Sequence, residues 1–238
     1  MKEVYDNNCL PKGFSAAGTY SGLCDSRVKL DVAMITSQAD CAIVMAGMNG
    51  TVQGQGKVLL LHNGAALPKT MRGQEIHGEI CDATAAYLSV QPQDVAFIAH
   101  GTEEQYFRPS LLINSLATLG AALSPLHGWQ VGAVIDNAGD MMDTTVMVGT
   151  DASLHGIAAD GTENKPGLCV LMTDAALSPG QLQKAMDACM AEIHTEGYTM
   201  IALANGMATE AVSEAALVQD MKNMMVQLGF QPVLQACS

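Results

Sequence analysis

"HGIAADGTENKPGLCVLMTDAALSPG", residues 155–180, is the stretch on which the reading of this chain turns. Its second half holds an apolar run of strand length, Gly167–Thr173, followed by a helix start. Ser178 stands where an N-cap belongs and Pro179 suits the first helical position. Leu182, Ala185, Met186, Cys189, Met190 and Ile193 then recur on one stripe up to His194. A strand apolar on both faces that runs into an amphipathic helix predicts a sheet covered by helices. The first half, "ADGTENKPG", is built of turn formers.

Working outward, the same alternation repeats. Helices are predicted over 73–90, 109–123, 178–194 and 215–228, the last stopping at Gly229. Apolar runs of strand length occupy 30–36, 41–47, 57–62, 94–99, 144–149, 167–173 and 199–205. The fold class expected is α/β, with mixed sheets covered by helices, in a single domain over 1–238, because no low-complexity linker divides the chain. "GMNGTVQGQG" (47–56) is Gly-rich but is followed by a strand rather than a helix, so it reads as a hairpin loop and not as a phosphate loop. Three strand ends carry a polar residue before glycine: Asn63-Gly64, His100-Gly101 and Asn205-Gly206. Ligands of α/β sheets bind beyond such ends, although Asn-Gly and His-Gly are also ordinary turn formers.

Composition narrows the function classes. The net charge of -13, with only 11 Lys and Arg, argues against nucleic acid or an anionic membrane as partner. Seven cysteines at no C-x-x-C spacing, most within apolar runs, read as reduced thiols of a cytoplasmic protein. "MKEVYDNNCLPKG" has no apolar h-region, so no signal peptide is expected, and no apolar run reaches the length of a membrane span. No G-x-S-x-G, H-E-x-x-H, Walker A or G-x-G-x-x-G motif occurs. The six histidines include no pair at i, i+4, so neither a metal site nor a cofactor is expected. His77 and His194 read as surface or helix-end residues, and Cys169 as core.

"LPKGFSAAGTYSGL" (10–23) resembles the opening of the ornithine acetyltransferase (glutamate N-acetyltransferase) family of arginine biosynthesis. The likeness continues in order through "KVLLLHNGAA", "EICDATAAYLSVQPQDVAFIAHG", "VLMTDAALSPGQLQKAM" (170–186) and "IALANG" (201–206). The resemblance implies a fold similar to the N-terminal-nucleophile enzymes. Family members cut their own chain before a Thr. The freed Thr, activated by its own new amine, takes an acetyl group from N-acetylornithine and passes it to glutamate, while a Thr-Gly step supplies the oxyanion hole.

The site positions depart from that pattern. Aligned back from "MTDAAL", the family's nucleophilic Thr falls on Pro166, which has no hydroxyl. The oxyanion Thr-Gly becomes His100-Gly101. The Lys-Gly-Ser-Gly anchor falls on "AADGT", with Asp160 but no Lys, and the Thr-Thr-Asp-Thr substrate segment falls on "IDNAGD", which contains Asp136 and Asn137. Asn63 matches the family's Asn-Ser-Gly-Asn loop. The chain ends at Ser238, short of the family's C-terminal site residues. The expectation is a non-catalytic relative, a binding or assembly subunit that forms homo- or hetero-oligomers, pairs with an active paralogue or holds an amino-acid-like ligand at Asn63, Asp136, Asn137 and Asp160. The alternative is a repurposed acyltransferase or amidase with another nucleophile. Its candidates are Thr162 with Asp160, Glu163 or His100 as base, and His100-Gly101 as the catalytic step. An active transferase would need a cleavable bond before a Thr between residues 155 and 175, where only Thr162 and Thr173 occur.

Overall fold

The computed structural model describes residues 4–5, 9–24, 30–47, 52–102, 107–135, 142–148, 152–161 and 166–233. Along them run β1 (Val4–Tyr5), β2 (Phe14–Thr19), β3 (Val32–Gly47), β4 (Val52–Ala65), α1 (Met71–Leu88), β5 (Val95–Thr102), α2 (Pro109–Ala122) and α3 (Gly128–Ile135). The second half adds β6 (Met142–Val148), β7 (Ala152–Ala159), β8 (Gly167–Thr173), α4 (Pro179–Met190), β9 (Tyr198–Ala204) and α5 (Glu214–Gln227).

One mixed sheet of order β1-β6-β7-β8-β9-β3-β4-β5, with β2 also on β3, contains every strand among the described residues. β3 and β4 decide its shape. They pair antiparallel along most of their length, but the register shifts between Thr36 and Cys41. The first half of β3 pairs with β2, the second half with β9. The shared strands thus belong to two layers, and the alternation of side chains shows them. Leu59 and Leu61 of β4 join Ile157, Val170, Met172, Ile201 and Leu203 in a core between the layers. Leu60 and Met34 face α1 and α2 instead, with Ile80, Leu112 and Leu119. On the far side, Cys169, Leu171 and Ala202 pack against Leu182, Met186, Met221 and Met224 of α4 and α5. The order is helix, sheet, sheet, helix, and strands covered on both faces read as continuous apolar runs.

The helix starts follow local chemistry. Ser178 Oγ accepts the Gln181 N–H at 3.3 Å, and the Gln181 side chain accepts the Ser178 N–H at 3.0 Å. Ser213 caps α5 by accepting the Ala216 N–H. Gly229, at φ +94°, closes it. β3 and β4, on either side of 48–51, pair antiparallel, in keeping with the hairpin reading, although Gly54 and Gly56 lie inside β4. The short strands β1 and β2, with β7 and α3, were not predicted. α3 fills the gap between the layers, with Val131, Val134 and Ile135 buried in the central core. No described helix is long and apolar enough to cross a membrane.

Candidate functional site

The parallel pairing of β4 and β5 sets Asn63 beside His100 and Gly64 beside Gly101. Two of the three polar-glycine steps therefore meet. The third does not. Asn205 follows the carboxyl end of β9, which runs parallel to β8, so it sits at the opposite end of that layer from Pro166. There its amide donates to the Lys12 carbonyl and its oxygen accepts the Met207 N–H.

His100 is 1% exposed. Its Nε2 lies 2.8 Å from the Pro166 carbonyl oxygen. A carbonyl can only accept, so Nε2 carries the proton and donates. The fold thus brings together two residues 66 positions apart, the pair that the resemblance assigns to the oxyanion step and the nucleophile position. Asn63 is fully buried, and its amide donates to the last carbonyls of α3, Val134 at 2.7 Å and Ile135 at 3.0 Å. It caps the helix that delivers the chain to "IDNAGD". Asp160 is exposed and accepts the Tyr198 hydroxyl. Burial, followed by the bond to Asp160 and its charge, pushes the Tyr198 phenol well above its ordinary range, so this hydroxyl stays protonated and donating. The Gly167 N–H donates to the Gly197 carbonyl at 2.8 Å. The mouth of the β7–β8 hairpin is thereby tied on three sides, to β5, to β9 and to the turn before β9. Asp136, Asn137 and Thr162 lie outside the described residues.

Each described polar group of the expected site therefore has scaffold work to do. Replacing His100 by alanine removes the donor that joins β5 to the start of β8. We expect a loss of about 1–2 kcal/mol, read as a lower urea midpoint at unchanged slope.

The thiols separate into two kinds. Burial pushes Cys41 and Cys189 up to about 12, the Ala204 backbone partly offsetting it at Cys41 and Lys222 at Cys189. Burial and then the Asp82 charge raise Cys81 to about 11. Cys169, fully buried on β8, is raised further by burial alone. No described cysteine forms a disulfide. In the unfolded chain thiols ionise near about 8.5. The folded state holds these protons more tightly, so their contribution is complete below that pH and is lost as pH rises toward 11–12. Stability should fall steadily above about pH 8.5, checked by urea midpoints across an alkaline series. In the folded protein exposed Cys9 should alkylate quickly, with Cys41, Cys169 and Cys189 inert.

Sequence reasoning missed one constellation. Single ligand atoms of Cys24, Asp31 and His62 lie within 4.8 Å of one another. The expectation of no metal site rested on local histidine spacing, and these three residues converge only through the fold of β3 and β4.

No family model matches the chain. An arginine biosynthesis bifunctional protein ArgJ, chloroplastic, from Populus trichocarpa is 27% identical over 231 aligned residues, which cover 82% of this chain and 48% of that protein. The ArgJ of Caldanaerobacter subterraneus is 22% identical over 252 aligned residues, 92% of this chain and 62% of the relative. The chain spans about half the length of the plant relatives. Among solved structures, ornithine acetyltransferase from Mycobacterium tuberculosis, complexed with ornithine, superposes with a TM-score of 0.60 at 18% identity, over 70% of this chain and all of that one. ArgJ from Bacillus halodurans gives a TM-score of 0.50 at 14% identity, over 70% of this chain and 91% of that one. At such identity the structures speak for the fold, the curated relatives carry the sequence likeness, and the two agree: this chain is a diverged relative of the ArgJ, or ornithine acetyltransferase, family.

Proposed function

We propose that this chain is a non-catalytic relative of the ornithine acetyltransferases that works as a binding or assembly subunit. The contact between His100 Nε2 and the Pro166 carbonyl carries the reading. It supports the alignment that places proline at the nucleophile position, because residues assigned to one site by resemblance meet in space. Proline offers no hydroxyl to attack an acyl carbon, and the Nε2 proton of His100 is committed to the Pro166 carbonyl. The amide of Asn63 is spent on α3. What is retained is the scaffold of two layers and four covering helices. On this reading the retained framework would offer the surfaces by which the chain joins an active paralogue or a second copy of itself. Any ligand held beside these residues would be amino-acid-like.

The test is the mass of the native, untagged assembly, then of each denatured component, together with an assay of acetyl transfer from N-acetylornithine to glutamate. One unbroken chain of 24.9 kDa, in a homo-oligomer or beside a second polypeptide, with no transfer by this chain alone, is the expected result. Two fragments of this chain, or transfer by it alone, would overturn the proposal and point to a nucleophile other than the family Thr.

A further inference from the structure

We propose that Cys24, Asp31 and His62 form a binding site for a divalent metal ion of the zinc class. The proposal does not depend on the reading of the cleft. His62 and Asn63 are successive residues of β4, so their side chains leave opposite faces of the strand. Asn63 points toward α3, between the layers, whereas His62 points to the face covered by α1 and α2, its ring edge-on to Phe107 at 5.5 Å.

The donors are of three kinds, a thiol sulfur, an imidazole nitrogen and a carboxylate oxygen, and their ligand atoms lie within 4.8 Å of one another. Cys24 Sγ is 3.9 Å from His62 Nε2. In a tetrahedral zinc site with bonds of about 2.0–2.3 Å, neighbouring ligand atoms stand roughly 3.3–3.8 Å apart. The pair is already near that spacing, and the third atom needs a contraction that side-chain rotation provides. A mixed sulfur, nitrogen and oxygen set suits zinc or cobalt and not calcium or magnesium, which take oxygen alone.

The protonation states agree. The Ala65 N–H donates to His62 Nε2 at 3.2 Å. That nitrogen therefore carries its lone pair, the form in which imidazole binds a metal; an ion would take the place of this long hydrogen bond. Asp31 is fully buried, and its carboxylate accepts the Ser21 N–H, the Ser21 hydroxyl at 2.9 Å and the Cys24 N–H at 3.3 Å. Three donors leave part of its lone-pair capacity unused. They also organise the 21–24 turn around Asp31, which preorganises the sulfur. The Cys24 thiol donates to the Asn63 carbonyl at 3.3 Å. On binding, that proton leaves to solvent as the sulfur–metal bond forms, and the freed Asn63 carbonyl or a water completes four ligands. Cys24 is half-buried, which gives the ion a way in. Bound there, it would pin the 21–24 turn to the start of β3 and the end of β4.

The test uses the full chain, stripped with a chelator and titrated with cobalt(II). One equivalent should bind with a sulfur-to-cobalt charge-transfer band and the strong visible bands of tetrahedral cobalt, and zinc should displace it. Cys24→Ser, a near-isosteric change, should abolish the charge-transfer band, while a Cys9→Ser/Cys237→Ser double variant should retain it. In the unmodified protein, zinc should slow alkylation of Cys24, followed by peptide mass, by about tenfold or more and leave Cys9 unaffected. That second measurement does not depend on any variant folding. Absence of the band, its survival in Cys24→Ser, or equal alkylation of Cys24 with and without zinc would each overturn the proposal.

Discussion

Gly101→Ala is expected to cost about 3 kcal/mol or more, or to prevent folding altogether. The register sets Gly101 against Gly64. A methyl group at Gly101 would be driven into the Gly64 carbonyl and the Ala65 nitrogen, all backbone atoms that cannot swing aside. Gly64 cannot retreat, because it is held at φ +142° and the space its own side chain would need is filled by the Cys24 sulfur. The control is Gly54→Ala in the same β4 strand, where nothing lies within 4 Å of the added carbon and the change should stay within about 0.5 kcal/mol. Urea midpoints of the two variants decide the matter. Equal midpoints would mean that β4 and β5 are not paired in this register. The glycine of the His-Gly step is thus accounted for by packing, with no need of an oxyanion hole.

Where local chemistry and tertiary environment agree, the elements were legible. α4 has its cap, its proline and its apolar stripe in one unbroken segment, and it begins at Pro179 as expected. α5, expected over 215–228, runs over Glu214–Gln227 and stops before Gly229 as expected, while its Ser213 cap was not read from the sequence. β3 was read as two strands, 30–36 and 41–47, because "SQAD" interrupts the apolar pattern. Those residues lie where the shared strands pass from one layer to the other, and the backbone continues extended through the register shift. α3 was missed because eight residues beginning with glycine give too few turns for a period to declare itself, and its burial comes from filling an inter-layer gap. β7 was missed because His155 and Gly156 break its apolar run; the Gly156 position is crowded by Met224 and Leu228 of the α5 region, a tertiary reason that no local pattern carries. The site divides in the same way. The His100–Pro166 meeting could be anticipated only through the family resemblance. The Cys24, Asp31 and His62 cluster gives no signal at all, since its members stand 7 and 31 residues apart, on a turn, just before β3 and on β4.

Pro166→Thr should not restore the family's chemistry. The variant returns a hydroxyl to the nucleophile position and leaves the rest of the site unchanged. The His100 bond is to the carbonyl of residue 166, not to its side chain, so it persists; cleavage before residue 166 would need the Lys165 carbonyl polarised, and the Nε2 proton of His100 is already committed to the next carbonyl along. In the uncut variant the backbone nitrogen of residue 166 is an amide and cannot serve as base. A missing general base costs about 10²-fold at least and a missing oxyanion donor about the same, so the combined deficit is on the order of 10⁴-fold or more. The expected result is a single chain at the full mass after prolonged incubation, with no transfer of acetyl to glutamate. Cleavage between Lys165 and residue 166 would show instead that the scaffold still bends the scissile peptide into a reactive geometry and that Pro166 alone silences it. In that case the loss of activity would be one substitution deep. The structure argues that it is deeper, because Pro166 and His100, both changed from the family's pattern, are locked to each other, and Asn63 is committed to holding α3 in place.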